Sequence, residues 1–309
     1  MSLKFKLLAA TATLALSVSS VSANEVNFEQ SSQATSPASA ASIANITFTQ
    51  TVGKANDIGV AGDKFVVVGS LTDLKINQAG DKNSALMDVY TSDSGTGTID
   101  MDFNGDGNKF DMKYGASGDT VFSSIDIDVD VDGSTNTFKE VIAQTVTSFV
   151  YNAKVNGSTN AIDTNSAGSV TTLDIDYDIN GDNNFLTVDT GLSGGARNLD
   201  IDITGSTNDW TANAKSATSS TVDVLQTAGD NVTGIIEQTG IGSNMDLDLA
   251  AALSGAFSIY ASDTSSGSSA TINLTTLGAG AFDLYQNTDG SVYDVSMTLA
   301  AGADIDVNM

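Results

Sequence analysis

The sequence predicts an all-β fold, a repeat β-solenoid of about ten strand-turn-strand rungs of ~24 residues each. Three observations carry that expectation. Gly133, Gly157, Gly181, Gly205 and Gly229 stand 24 residues apart, and the first four open a Gly-x-x-Asn tetrad closed by Asn136, Asn160, Asn184 and Asn208. Ahead of the glycines, apolar and acidic residues alternate: Ile125, Ile127, Val129 and Val131 interleave with Asp126, Asp128, Asp130 and Asp132. Period two puts the apolar set on one face of a strand and the acids on the other. Pro37 is the only proline, and the interior of a backbone ladder tolerates none.

Residues 1–23 read as an export signal. Lys4 and Lys6 precede an apolar run from Leu7 to Leu16, and Val21, Ser22 and Ala23 supply small residues before a cleavage point. Residues 24–44 form a polar leader, too poor in large apolar side chains to build a core. The repeat domain occupies 45–309 without an internal boundary. Its upstream turns are Gly53 to Asn56, Gly80 to Asn83 and Gly105 to Asn108. After each asparagine the alternation resumes, as in Phe110, Met112 and Tyr114, or Trp210 and Ala212. Beyond Gly229 the tetrad fades, while Gly255, Gly280 and Gly302 keep the spacing. Only four of the 38 acids are Glu, and Asp favours turns where Glu favours helix.

If rungs stack, equal positions superpose. Ile76, Met101, Val129, Ala153, Tyr177 and Ile201 then form an inward column, and the tetrad asparagines form a second. Two acidic columns follow, Asp100, Asp128, Asp176 and Asp200 beside Asp102, Asp130, Asp178 and Asp202. Consecutive hairpins of an outer-membrane β-barrel remain the structural alternative.

With 38 acids against 12 bases, the formal charge is −26. That excludes nucleic acid as a partner, which requires a basic face. The chain has no Cys and no His, and Arg197 is its only arginine. Thiol chemistry and histidine acid–base catalysis are therefore absent, and an enzyme is not expected. No cofactor is required. The single candidate ion is Ca2+: Asp102, Asn104 and Asp106, and again Asp128, Asp130 and Asp132, follow the opening spacing of a Ca2+ loop. Lys113 and Lys139 stand where such a loop closes with Glu, and the alternation around both segments favours strands.

The unit Ile76, Gln78, Gly80, Asn83 and Ala85 resembles the curlin repeat of bacterial curli fibres, which runs apolar-x-Gln-x-Gly-x-x-Asn-x-Ala. Related stretches join Gln50 to Gly53 and Asn56, Gln226 to Gly229 and Asn231, and Gln238 to Gly240 and Asn244. Elsewhere Phe103, Val131, Val155, Ile179 and Ile203 replace the glutamine before the glycine. The resemblance implies a β-solenoid exported to the cell surface of a Gram-negative-type cell. It implies self-assembly into amyloid-like fibres of a biofilm matrix, helped by secretion and nucleation partners at the outer membrane. A Ca2+-binding adhesin or surface-layer protein is the other function expected of such an acidic exported chain.

Overall fold

The computed structural model describes residues 73–308 apart from the connections 91–95, 115–121, 144–145, 167–169, 191–193, 218–219, 228–230, 254–256, 264–266, 277–278 and 287–289 and residue 300. Ahead of residue 73 it describes only short stretches, mostly strand segments, so the expected signal (1–23) and leader (24–44) lie largely outside the described residues. Gly53, Asn56 and Gly229 lie outside them as well.

The chain divides into two compact units, Met1–Asn152 and Ala153–Met309, with the division inside the strand Val146–Asn156. In the first unit, Asp73–Ala79, Thr96–Asn104 and Phe122–Asp132 lie side by side in one sheet. Ser84–Tyr90, Lys109–Tyr114 and Thr137–Ile142 lie in a second. Each strand pairs in parallel with its counterpart one turn later, so Met101 stands between Ile76 and Val129. The second unit repeats the plan. Val170–Asn180 is followed across its sheet by Gly194–Thr204, Ser220–Gln226 and Asn244–Leu253, all parallel. Phe185–Asp189, Asp209–Ala217 and Val232–Gly240 do the same in the other sheet.

This is a parallel β-solenoid. Pairing joins alternate strands in parallel, whereas a membrane barrel pairs consecutive strands antiparallel. The expectation of about ten regular rungs is corrected to about seven turns of ~24 residues. Among the described residues, the left-handed place of the regular arch is held by Lys82, Gly107, Thr135, Thr159, Asn183, Thr207 and Asn231.

Parallel sheets are commonly covered on both faces and read as continuous apolar runs. Here each sheet covers the other, so only one face of each strand must be apolar. In Val170–Asn180 the burial alternates strictly from Leu173 to Ile179, with Asp174, Asp176 and Asp178 exposed between. The core is aromatic in the first unit. Phe103, Phe110 and Phe138 meet with ring centroids 5.8–6.2 Å apart, and Tyr114 meets Phe149 edge-on at 5.9 Å. Each such side chain contributes about 1.5–3 kcal/mol by leaving water. In the second unit Trp210 is fully buried and lies over Gly234, where an added Cβ would sit 2.1 Å from the indole Cζ2. The indole fits only because its register partner has no side chain.

Candidate functional site

The strongest local signal in the sequence, the Gly-x-x-Asn tetrad, becomes an arch that carries the chain from one sheet to the other. Its glycine takes φ of +113° at Gly80, +134° at Gly105, +145° at Gly133 and +146° at Gly181. That conformation is open to glycine and strained for other residues. Space imposes the same choice, because a Cβ on Gly181 would lie 2.1 Å from the Gly157 carbonyl oxygen.

The tetrad asparagines are buried and do two jobs. Asn108 Nδ2 donates to its own Gly105 carbonyl at 2.8 Å, closing the arch. Asn108 Oδ1 accepts the backbone N–H of Asn83, one turn earlier, at 2.9 Å. Asn136 does the same for Asn108, and in the second unit Asn184 serves Asn160 and Asn208 serves Asn184, at 2.8–2.9 Å. Each buried amide left over by the arch is thus satisfied by the next turn's side chain.

A second ladder runs outside the first and in the opposite sense. Asp106 Oδ1 accepts the N–H of Ser134 at 2.6 Å, and Asp81 Oδ1 accepts that of Asp106 at 3.1 Å. In the second unit Ser158 Oγ accepts from Asp182, and Asp182 Oδ1 from Ser206, at 3.1 and 2.6 Å. Asp106, expected as a Ca2+ ligand, is therefore engaged in holding the next arch.

The other expected ligands lie on flat strands. Asp102 and Asn104 are exposed on Thr96–Asn104, and Asp128, Asp130 and Asp132 are exposed on Phe122–Asp132. Asp128 accepts from Asn152 Nδ2 at 2.8 Å. Among the described residues no three acidic side chains converge on a point that could hold a metal.

The acids instead form in-register columns. Asp100 pairs with Asp128 and Asp102 with Asp130. In the second unit Asp176, Asp200, Asp223 and Asp246 follow one another across four strands, and Asp178 pairs with Asp202. Partial burial, then the neighbouring carboxylates, raises Asp102, Asp176 and Asp202 above the ordinary range. The same causes push Asp223 up to about 6, with Asp246, Asp200, Asp202 and Asp248 around it. Lys75 sits opposite Asp100 in the first column, its Nζ 3.4 Å from the carboxylate.

Gln78, Gln226 and Gln238 of the curlin-like stretches are buried. Gln78 Nε2 donates to the Ser84 carbonyl at 3.4 Å and Gln226 Nε2 to the Gly205 carbonyl at 3.0 Å. Gln238 Nε2 reaches the carbonyls of Ser220 and Asn244 at 3.1 and 3.0 Å. Gln78 stands in register with Phe103 and Gln226 with Ile203, so amide and apolar side chains exchange at one inward position.

Two buried charged side chains fall outside the sequence expectations. Arg197 is 2 % exposed, and its Nη1 donates to the Val170 carbonyl at 2.7 Å. Burial lowers its pKa. Glu140 is 1 % exposed, in an inward place between Phe138 and Ile142. Alternation along 137–142 places Glu140 inside, and that was the signal available for it.

Fold and site together define a parallel β-solenoid with internal side-chain ladders and an acidic outer face. No family model, curated protein or solved structure matches the chain.

Proposed function

We propose that the protein is an exported structural repeat protein that forms or decorates a cell-surface fibre or biofilm matrix, in the manner of curli. The observation that carries this reading is the uniform parallel stacking. The regular turns receive one another through the same backbone ladder and the same arch bonds, so an edge turn that repeats them offers a further copy the surface it offers its own chain. The strand Val292–Thr298 continues the register of Ser269–Thr276, and Val292 on it is 69 % exposed. Assembly is end-to-end addition. The burial of Gln78, Gln226 and Gln238 supports the curlin likeness, because these are the positions on which it rests.

The acidic columns oppose stacking. Two carboxylates ~4.8 Å apart repel by roughly 0.9 kcal/mol in water before screening. Divalent cations are accordingly the proposed promoters of assembly. The acidic face also favours the second reading, a globular Ca2+-binding adhesin or surface-layer protein.

Negative-stain microscopy and thioflavin fluorescence of purified protein, with and without Ca2+, test the proposal. Fibres that appear faster with Ca2+ support it. Discrete particles under both conditions sink the fibre reading, and fibres indifferent to Ca2+ remove the cation from it.

A further inference from the structure

Glu140 occupies a place that the fold otherwise gives to apolar side chains. Its strand, Thr137–Ile142, lies beside Lys109–Tyr114, where Met112 is its register partner, and Met112 in turn faces Met87. The column therefore runs Met87, Met112, Glu140 through the core of the first unit. Both carboxyl oxygens are buried without a hydrogen-bond partner among the described residues, and the polar group that bears on them is the hydroxyl of Tyr151. Tyr151 stacks on Phe149 at 6.5 Å, Phe149 meets Tyr114, and the Tyr114 hydroxyl donates to Met112 Sδ at 3.5 Å. The carboxyl thus sits in a ring of aromatic and thioether groups.

The basic residues nearby belong to the other face. Lys139 is exposed on the outer side of the same strand, with Asp111 as its register partner, and Lys113 stands opposite Val141 on the same outer side. The titratable neighbours inside are Tyr114 and Tyr151, whose neutral hydroxyls supply no positive charge. An ionised carboxylate is strongly disfavoured in such surroundings, whereas the neutral acid is tolerated.

We propose that Glu140 is an acid latch: its neutral carboxyl lets the turn carrying Thr137–Ile142 seat in the first unit, and ionisation releases that turn. The latch acts on this unit's own fold and does not depend on fibre formation. Burial raises the Glu140 pKa well above its ordinary 4.5, with the Tyr151 hydroxyl opposing. A raised carboxyl contributes stability that is fully present below the unfolded value and is lost as pH rises through the folded one.

Hydrogen exchange of the full chain tests the latch. The amides to follow are Thr137, bonded to the Asn108 carbonyl at 2.9 Å, and Ala143, bonded to that of Tyr114 at 2.8 Å. With intrinsic exchange rates divided out, their protection in the wild type should fall by about tenfold per pH unit between the ordinary carboxyl value of 4.5 and the raised folded one, and level off above it. Protection at Asn184, in the second unit, should follow the same pH profile in the wild type and in the Glu140 variants. Glu140→Gln, neutral at every pH, should flatten the profile. If that variant does not fold, Glu140→Met, which continues the methionine column, is read in the same way. Parallel pH profiles for the wild type and the folded variant overturn the proposal.

Discussion

Gly181→Ala is the most direct trial of the arch. Gly181 takes φ +146°, and an added Cβ would lie 2.1 Å from the Gly157 oxygen and 2.6 Å from its carbonyl carbon. Ordinary contact begins near 3.4 Å, so the two arches must part by about 1.3 Å. The atom in the way is backbone and cannot swing aside. Parting strains the bonds from Gly157 N to the Asn180 oxygen and from Thr159 N to the Asp182 oxygen, 2.8 and 2.9 Å long. Two bonds at about 1 kcal/mol each, with about 1–3 kcal/mol for the unfavourable backbone conformation, give a loss of about 3–5 kcal/mol. Gly267→Ala is the matched comparison. Its φ is +67°, yet nothing lies within 4 Å of the added carbon, so only the conformational cost of about 1–2 kcal/mol applies. Urea unfolding followed by circular dichroism measures both. If Gly181→Ala costs no more than Gly267→Ala, close stacking of the arches is not what selects glycine.

Further outcomes follow from other contacts. Thr207 adopts φ +60° at a place that Asn183 and Asn231 also occupy. A β-branched residue is strained there and Asn tolerates it, so Thr207→Asn should raise stability by about 0.5–1 kcal/mol in the same urea assay. Asp223, pushed up to about 6, weakens the fold as pH rises from its unfolded value near 3.8 through 6. The thermal midpoint should therefore climb on acidification from pH 7 to pH 4. Asp223→Asn should be the more stable protein at pH 7 and show a shallower climb; an unchanged slope refutes the assignment. Gly234→Ala drives a methyl into the Trp210 ring and should cost about 1–3 kcal/mol. Since Trp210 is the only tryptophan, its emission should move to the red; an unmoved spectrum counts against that contact.

Much of the architecture was legible because period-two alternation and a fixed glycine spacing are both backbone properties. The inward column through Met101 and the acidic column through Asp100 and Asp128 both appear as the spacing implied. Direction of pairing was not legible, since hairpins and stacked turns share the same alternation. Nor was the extent of the regular arch, because Gly255, Gly280 and Gly302 keep the spacing without the tetrad. Asp106 shows a second use of a ligand-like spacing: the Asp-rich turn offers one carboxylate oxygen to the Ser134 amide of the next arch. Glu140 and Arg197 were hidden by composition. Single charged residues in an alternating strand look like register noise until the opposite sheet closes over them.

The two arch ladders give the stack a polarity. In the buried one, the acceptor belongs to the later turn and the donor to the earlier: Asn184 Oδ1 serves Asn160, and Asn208 Oδ1 serves Asn184. In the exposed one the order reverses, with Asp182 Oδ1 serving Ser206. Damage should therefore travel one way along each line. Removing the Asn184 amide orphans the arch before it, and removing the Asp182 carboxylate orphans the arch after it. An array so wired is not a pile of equivalent plates. The two faces of such an arch are chemically different: toward the earlier turn it presents an amide oxygen, toward the later one a carboxylate oxygen.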